Sequence, residues 1–127
     1  MTSTKVVAIT GAGRSGSTIL DNILGGVPGA FSAGEVRYLW QRGLIEGRLC
    51  GCSRPVPECD VWPQILEAAF PEGVDATAVV QMLGAIRTRY TPAMSARPVQ
   101  GWYKSKLAPL VAILADLYPA IAEVTGA

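Results

Sequence analysis

The sequence of 127 residues contains no histidine, and this absence removes the most common general acid or base of enzymes. A catalytic proton transfer in this chain would therefore use a carboxylate or another side chain. Aromatic residues make up only 7% of the chain and charged residues 17%, whereas half of the residues are hydrophobic. This composition is typical of a folded globular protein and excludes intrinsic disorder.

The chain also lacks an excess of charge of either sign. Its 11 basic and 10 acidic residues give a net charge of +1, without a basic run, so we expect neither nucleic acid nor a membrane as a partner. The N-terminus lacks the uninterrupted apolar core of a signal peptide, which predicts a cytoplasmic location. The apolar segment 107–124 is interrupted by prolines and acidic residues. We therefore predict a core helix packed against a sheet, not a membrane span.

The most informative segment is 5–20, KVVAITGAGRSGSTIL. The apolar residues 6–9 predict a buried strand, the glycines that follow predict a tight turn, and Ser17 begins a predicted helix. A glycine loop that leads into a helix can turn its backbone N–H groups toward one point, where the helix dipole also favours negative charge. The segment therefore predicts a binding site for phosphate or sulfate.

This glycine loop matches two nucleotide-binding patterns incompletely. Gly11 and Gly16 have the spacing of a Walker A loop, but Ser17 stands where that loop has its lysine. The G-x-G-x-x-G pattern is also satisfied, with Gly13 as its second glycine, but no acidic residue follows a second strand about 20 positions later. The cation of the loop is Arg14, whose guanidinium can hold two oxygens of a tetrahedral anion. These departures argue against ordinary Mg-ATP hydrolysis.

Residues 13–18, Gly-Arg-Ser-Gly-Ser-Thr, follow an apolar strand and resemble the 5′-phosphosulfate-binding loop of sulfotransferases. These enzymes use 3′-phosphoadenosine 5′-phosphosulfate (PAPS). Gly34-Glu35 and the segment from Cys50 to Trp62 are also similar in order and spacing to bacterial-type members. The resemblance implies a cytoplasmic transferase that moves the sulfuryl group of PAPS to the hydroxyl or amine of a small-molecule or carbohydrate acceptor.

The same resemblance implies an α/β fold of the P-loop nucleotide-binding class, with residues 1–127 forming a single partial domain. Family members are usually much longer, and their residues for the 3′-phosphate follow the region that this chain matches. We therefore expect a fold truncated after the first strand and its helices, either as a fragment or as a truncated relative. A homo-oligomer in which a second chain supplies the missing strands is a further hypothesis.

The resemblance also assigns roles to individual residues. In the prediction, Arg14 neutralises the phosphosulfate and Glu35 takes the proton of the acceptor, so both are candidate catalytic residues. The alternatives for Glu35 are a helix cap or an ion pair with Arg37 or Arg42. The predicted cofactor-binding residues are Gly11, Gly13, Arg14, Ser15, Gly16, Ser17 and Thr18.

Two other functions remain open at this point. A P-loop nucleotide-binding or phosphotransferase module would need magnesium and an acidic ligand at the end of a later strand. A truncated relative of the sulfotransferases would bind the donor without catalysis.

The three cysteines, Cys50, Cys52 and Cys59, have the spacing C-x-C-x6-C. They supply three thiolates, but a structural zinc site uses four ligands, so Glu58 or Asp60 would have to complete it. A disulfide is another alternative, although a cytosolic chain favours free thiols. We therefore predict no metal.

The apolar spacing and the end signals also predict the helices. They comprise 17–24, a short helix from about Glu35, 63–70 with Asp60 as a cap, a helix capped by Asp75, and 107–124 with a kink or end at Pro119. The segments 43–57 and 91–100 are predicted loops.

Overall fold

The structure, a computed structural model, describes residues 4–86 and 97–127, and these residues form helices without a β-strand. The predicted α/β P-loop fold is therefore wrong for the part of the chain that is described. Helix α1 spans Ser17–Gly25, and α2 begins at Val36–Tyr38 and continues as π-helical turns through Leu39–Ile45. A 3-10 turn at Val56–Glu58 precedes α3 (Trp62–Ala69), which is followed by α4 (Ala76–Gly84) and α5 (Arg97–Thr125).

The segment predicted as the first strand has no regular secondary structure. Val6 is 53% exposed and Val7 is 77% exposed, although both were expected in a buried strand. Within residues 4–86 and 97–127 the only bridge between extended residues is the isolated pair Leu49 and Pro55. A strand needs a neighbour to take its backbone hydrogen bonds. The prediction failed because local β preference does not provide that neighbour.

The core lies between α2, α3, α4 and α5. Each of these helices contributes one side chain that is almost completely buried. In chain order these side chains are Trp40, Ile65, Val79 and Leu117. The largest helix contacts are those of α3 with α5 and of α4 with the π-helical turns of α2. Phe70, just after α3, meets Trp40 edge to face with 6.2 Å between the ring centroids. The apolar spacing of the sequence thus builds a helical core without a sheet.

Helix α5 contains the segment predicted as a core helix. It buries Leu117 and Ile121, but it packs on α3, so the predicted contact with a sheet is wrong. It continues through Pro119, contrary to an end at that residue, and it begins at Arg97, inside the predicted loop 91–100. Residues 91–96 of that loop lie outside the described residues.

Part of α5, Lys104–Thr125, is long and apolar enough to cross a membrane, with a mean hydropathy of 1.7. In its most apolar window 22% of the residues are buried inside the protein. Length and composition of this kind also occur in core helices of other proteins, and α5 packs on α3.

Several helix ends follow the sequence closely. Helix α1 begins at Ser17 as predicted and ends at Gly25. Asp75 is confirmed as the N-cap of α4, because its Oδ1 accepts hydrogen bonds from the N–H groups of Thr77 and Ala78 at 2.9 Å and 3.2 Å. Asp60, however, does not cap α3, which begins after Val61 without a side-chain cap.

Candidate functional site

The glycine loop lies at the N-terminus of α1, where the sequence placed it. Arg14 has φ of 63° and Gly16 has φ of 84°, and Ser15 between them has a negative φ. Successive residues that alternate between right- and left-handed backbone conformations can turn their N–H groups to one side of the chain, as in the backbone concavities that bind anions. Gly16 is the N-cap residue, and no side chain accepts a hydrogen bond from the first turn of α1. Those N–H groups are therefore available to an anion.

The loop is open to solvent. Residues 11–16 and Thr18 are exposed, and Ser17 is half-buried. Arg14 makes no hydrogen bond or ion pair with any of the described residues. Its guanidinium is thus accessible on the same loop as the uncapped N–H groups.

Glu35 is exposed at the start of α2. It is the N-cap residue of that helix, but its side chain makes no cap hydrogen bond. It also forms no ion pair with Arg37 or Arg42 in the described chain, and Arg42 instead lies over the ring of Tyr38, 3.7 Å from the centroid. Neither alternative role of Glu35 is therefore observed. No hydrogen bond or ion pair connects Glu35 to the described glycine loop either, so its catalytic role stays a prediction.

Helix α1 is connected to the segment that leads to Glu35. The hydroxyl of Ser32 donates a hydrogen bond to the carboxylate of Asp21, in the middle of α1. A Cβ on Gly25 would lie 2.6 Å from the Cβ of Ser32, so glycine is required for this close approach. The sequence analysis missed Asp21 and Ser32, and the glycine at position 25 was the only indication that another segment approaches α1.

The three cysteines form a second cluster, beside the 3-10 turn and the start of α3. All three Sγ atoms lie within 4.8 Å of one another, and those of Cys50 and Cys59 are 3.7 Å apart. All three thiols are free. Cys59 is buried, Cys50 is half-buried and Cys52 is exposed. The sequence analysis considered these residues as ligands, but their spacing alone could not show that the sulfur atoms converge.

A tight turn positions Cys50 and Cys52. The N–H of Cys50 donates to the carbonyl of Arg54 at 2.7 Å, and the N–H of Ser53 donates to the carbonyl of Cys50 at 2.9 Å. Ser53 has the left-handed φ of 65° that closes the turn. The guanidinium of Arg54 then binds the carboxylate of Asp60. This ion pair joins the turn to the residue that follows Cys59.

Backbone N–H groups donate to two of the three sulfur atoms. Burial raises the pKa of Cys50, although the N–H of Cys52 bonds to this sulfur and opposes that effect. Burial by itself would raise the pKa of Cys59. Hydrogen bonds from the N–H groups of Trp62 and Val61, together with the thiols of Cys52 and Cys50, outweigh this effect, so the pKa of Cys59 is lowered. The start of α3 therefore stabilises the thiolate of Cys59.

A scan against protein-family models, a search of curated proteins and a search of solved structures each found no match. The glycine loop and the cysteine cluster are the features of the described chain that indicate a function. The resemblance to sulfotransferases remains a prediction from the motif.

Proposed function

We propose that this chain binds the 5′-phosphosulfate of PAPS in its glycine loop and transfers the sulfuryl group to an acceptor hydroxyl or amine. The observation that supports the proposal most is the pair of left-handed residues, Arg14 and Gly16, directly before the uncapped start of α1. The proposal concerns this loop and the helix that follows it. It does not depend on a sheet.

The donor groups of the loop suit an anion with several oxygens. Backbone N–H groups of residues 13–18 would bind the phosphate, and the hydroxyls of Ser15, Ser17 and Thr18 would add further hydrogen bonds. Arg14 supplies a fixed positive charge and a planar fork of donors. During transfer, negative charge moves to the bridging oxygen of the leaving phosphate, where these donors would stabilise it.

The acceptor must lose a proton as its oxygen or nitrogen attacks the sulfur atom. We assign this role to Glu35, because a carboxylate is the natural base in a chain without histidine. Glu35 is exposed and engaged by no described cation, so an acceptor can approach it. The hydrogen bond between Ser32 and Asp21 connects the backbone before Glu35 to the helix that bears the loop.

The alternative function, a nucleotide-binding or phosphotransferase module, would use the same loop with Mg-ATP. Such a site depends on a lysine at the position of Ser17 and on an acidic magnesium ligand from a later strand. The described residues contain no strand to carry that ligand. Mg-ATP is therefore the comparison ligand in the test.

The test is calorimetric titration of adenosine 3′,5′-bisphosphate, the desulfated donor, into the folded chain. The variant is Arg14→Gly, because glycine removes the cation and accepts the φ of 63° at this position. A hydrogen bond to a charged group contributes about 1.5–3 kcal/mol. We therefore expect a loss of affinity of roughly 10- to 150-fold.

The matched control is Arg37→Ala, which removes an exposed arginine from α2 and leaves the loop intact. Affinity for the bisphosphate should not change in this variant. Preference of the wild-type chain for Mg-ATP, or equal losses in the two variants, would contradict the proposal. A chain that is folded by circular dichroism and binds neither ligand would also contradict it.

A further inference from the structure

We propose that Cys50, Cys52 and Cys59 form a zinc site with three thiolate ligands. The site is separate from the glycine loop and from Glu35, and it is independent of the proposed sulfuryl transfer. It consists of Cys50 and Cys52 from the turn at residues 50–54 and of Cys59, which directly follows the 3-10 turn Val56–Glu58.

The distances between the sulfur atoms agree with coordination of one ion. Zinc binds thiolate sulfur at about 2.3 Å, so two ligands at a tetrahedral angle lie about 3.8 Å apart. The Sγ atoms of Cys50 and Cys59 are 3.7 Å apart, and the third sulfur lies within 4.8 Å of both. A small rotation of the exposed Cys52 side chain would complete a tetrahedral face.

The backbone around the sulfur atoms also suits a metal site. The N–H of Cys52 lies beside the sulfur of Cys50, and the N–H groups of Val61 and Trp62 lie beside that of Cys59. Hydrogen bonds from an outer shell of this kind orient metal ligands and stabilise their charge. Arg54 adds a positive charge beside the cluster, where it interacts with Cys52 and with Asp60. Three thiolates and one Zn²⁺ carry a net charge of −1, and the guanidinium of Arg54, which also binds Asp60, lies beside that charge.

The fourth position of the ion is left to a ligand from solvent. Of the two acidic residues that flank Cys59, Asp60 is already bound to Arg54, and Glu58 is not part of the group of side chains that converge here. Cys52 is exposed, so the open side of the cluster faces water. Zinc with three protein ligands and a solvent molecule is the pattern of sites that bind or activate a further ligand.

Free thiols this close could instead form a disulfide between Cys50 and Cys59. A disulfide bond is about 2.05 Å long, whereas these sulfur atoms are 3.7 Å apart. Such a pair would also leave Cys52 without a role, although its sulfur converges on the same point. Coordination of one ion uses all three thiols.

The test is titration of the reduced full chain with Zn²⁺ in competition with a chromophoric chelator, followed by Co²⁺ as a spectroscopic probe. We expect one ion per chain and a thiolate-to-cobalt charge-transfer band. The variant Cys52→Ser, at an exposed position, should lose at least tenfold in affinity and weaken that band. The control Ser53→Gly keeps all three thiols and accepts the φ of 65°, so its affinity should match that of the wild-type chain.

Equal affinities of the wild-type chain and Cys52→Ser would overturn the proposal. So would a Co²⁺ spectrum of the wild-type chain without thiolate charge transfer, and this result does not depend on whether a variant folds. A Cys50–Cys59 disulfide that forms in a reducing glutathione buffer with Zn²⁺ present, detected as the loss of two hydrogens by mass spectrometry, would also overturn it.

Discussion

The left-handed backbone conformation of Gly16 allows us to predict how much an alanine at this position would weaken anion binding. Gly16 has φ of 84°, and a Cβ added to it would meet no atom within 4 Å. The substitution Gly16→Ala therefore changes the backbone preference without a steric clash. Any effect on binding then reports the conformation of the loop.

The size of this effect follows from the cost of the left-handed conformation. An alanine in that region costs roughly 1–2 kcal/mol. If the anion binds only the left-handed form, this cost is subtracted from the binding free energy. Since 1.4 kcal/mol corresponds to a factor of ten, we expect the affinity for adenosine 3′,5′-bisphosphate to fall roughly 5- to 30-fold.

The control is Gly29→Ala, which imposes the same backbone cost at a different site. Gly29 has φ of 78° and open space around its Cβ position. It lies in a turn closed by a 3.0 Å hydrogen bond from the N–H of Ala30 to the carbonyl of Val27. Calorimetry should show a weaker bisphosphate affinity for Gly16→Ala and an unchanged affinity for Gly29→Ala. Equal affinities of these two variants would refute the reasoning.

Two further predictions concern the core. Gly43→Ala should destabilise the protein by about 1–3 kcal/mol, because the new Cβ would lie 2.8 Å from Cγ2 of the buried Val56. The control Gly84→Ala adds a methyl group in open space on α4, so it should be neutral or stabilising by up to about 1 kcal/mol. Urea unfolding measures both free energies, and equal values would contradict the packing described at Gly43. Leu117→Ala should lower the free energy of unfolding by about 2–5 kcal/mol, because this side chain is 0% exposed. The control Val111→Ala, at a residue of α5 that is 59% exposed, should lower it by less than about 0.5 kcal/mol. Similar losses in the two variants, measured in the same way, would show that the Leu117 side of α5 is not the side buried in the core.

The helices were predictable where a short-range interaction defines them. The carboxylate of Asp75 bonds to N–H groups two and three residues ahead, so its neighbours in sequence suffice to identify the cap. The start of α1 after the glycines is equally local. Asp60 is not the cap because α3 begins at Trp62, so that Val61 occupies the N-cap position, and the carboxylate of Asp60 binds Arg54 instead. The apolar spacing did not define the first residue of this helix closely enough to identify its cap.

The predicted sheet, which the described residues do not form, and the cysteine cluster both depend on contacts between residues that are distant in sequence. The β-favouring residues 6–9 contain no information about a partner strand, and the described chain offers them none. The glycine loop was correctly placed before a helix, because its conformation depends mainly on its own glycines. The convergence of Cys50 and Cys59 follows instead from the turn at Ser53 and the start of α3. The cysteine spacing identified candidate ligands, but it could not establish their geometry.

Helix α1 has nine residues and buries none of them, which affects how the proposed anion site would bind a ligand. Isolated helices shorter than about 12–15 residues are marginal in water. Helix α1 has no extensive contact with another described helix, so packing adds little to its stability. An anion that binds the first N–H groups would therefore also increase the helical population of α1. Ligand binding and local folding would then be one equilibrium, and an exposed substitution that favours the helix would tighten binding without touching the ligand.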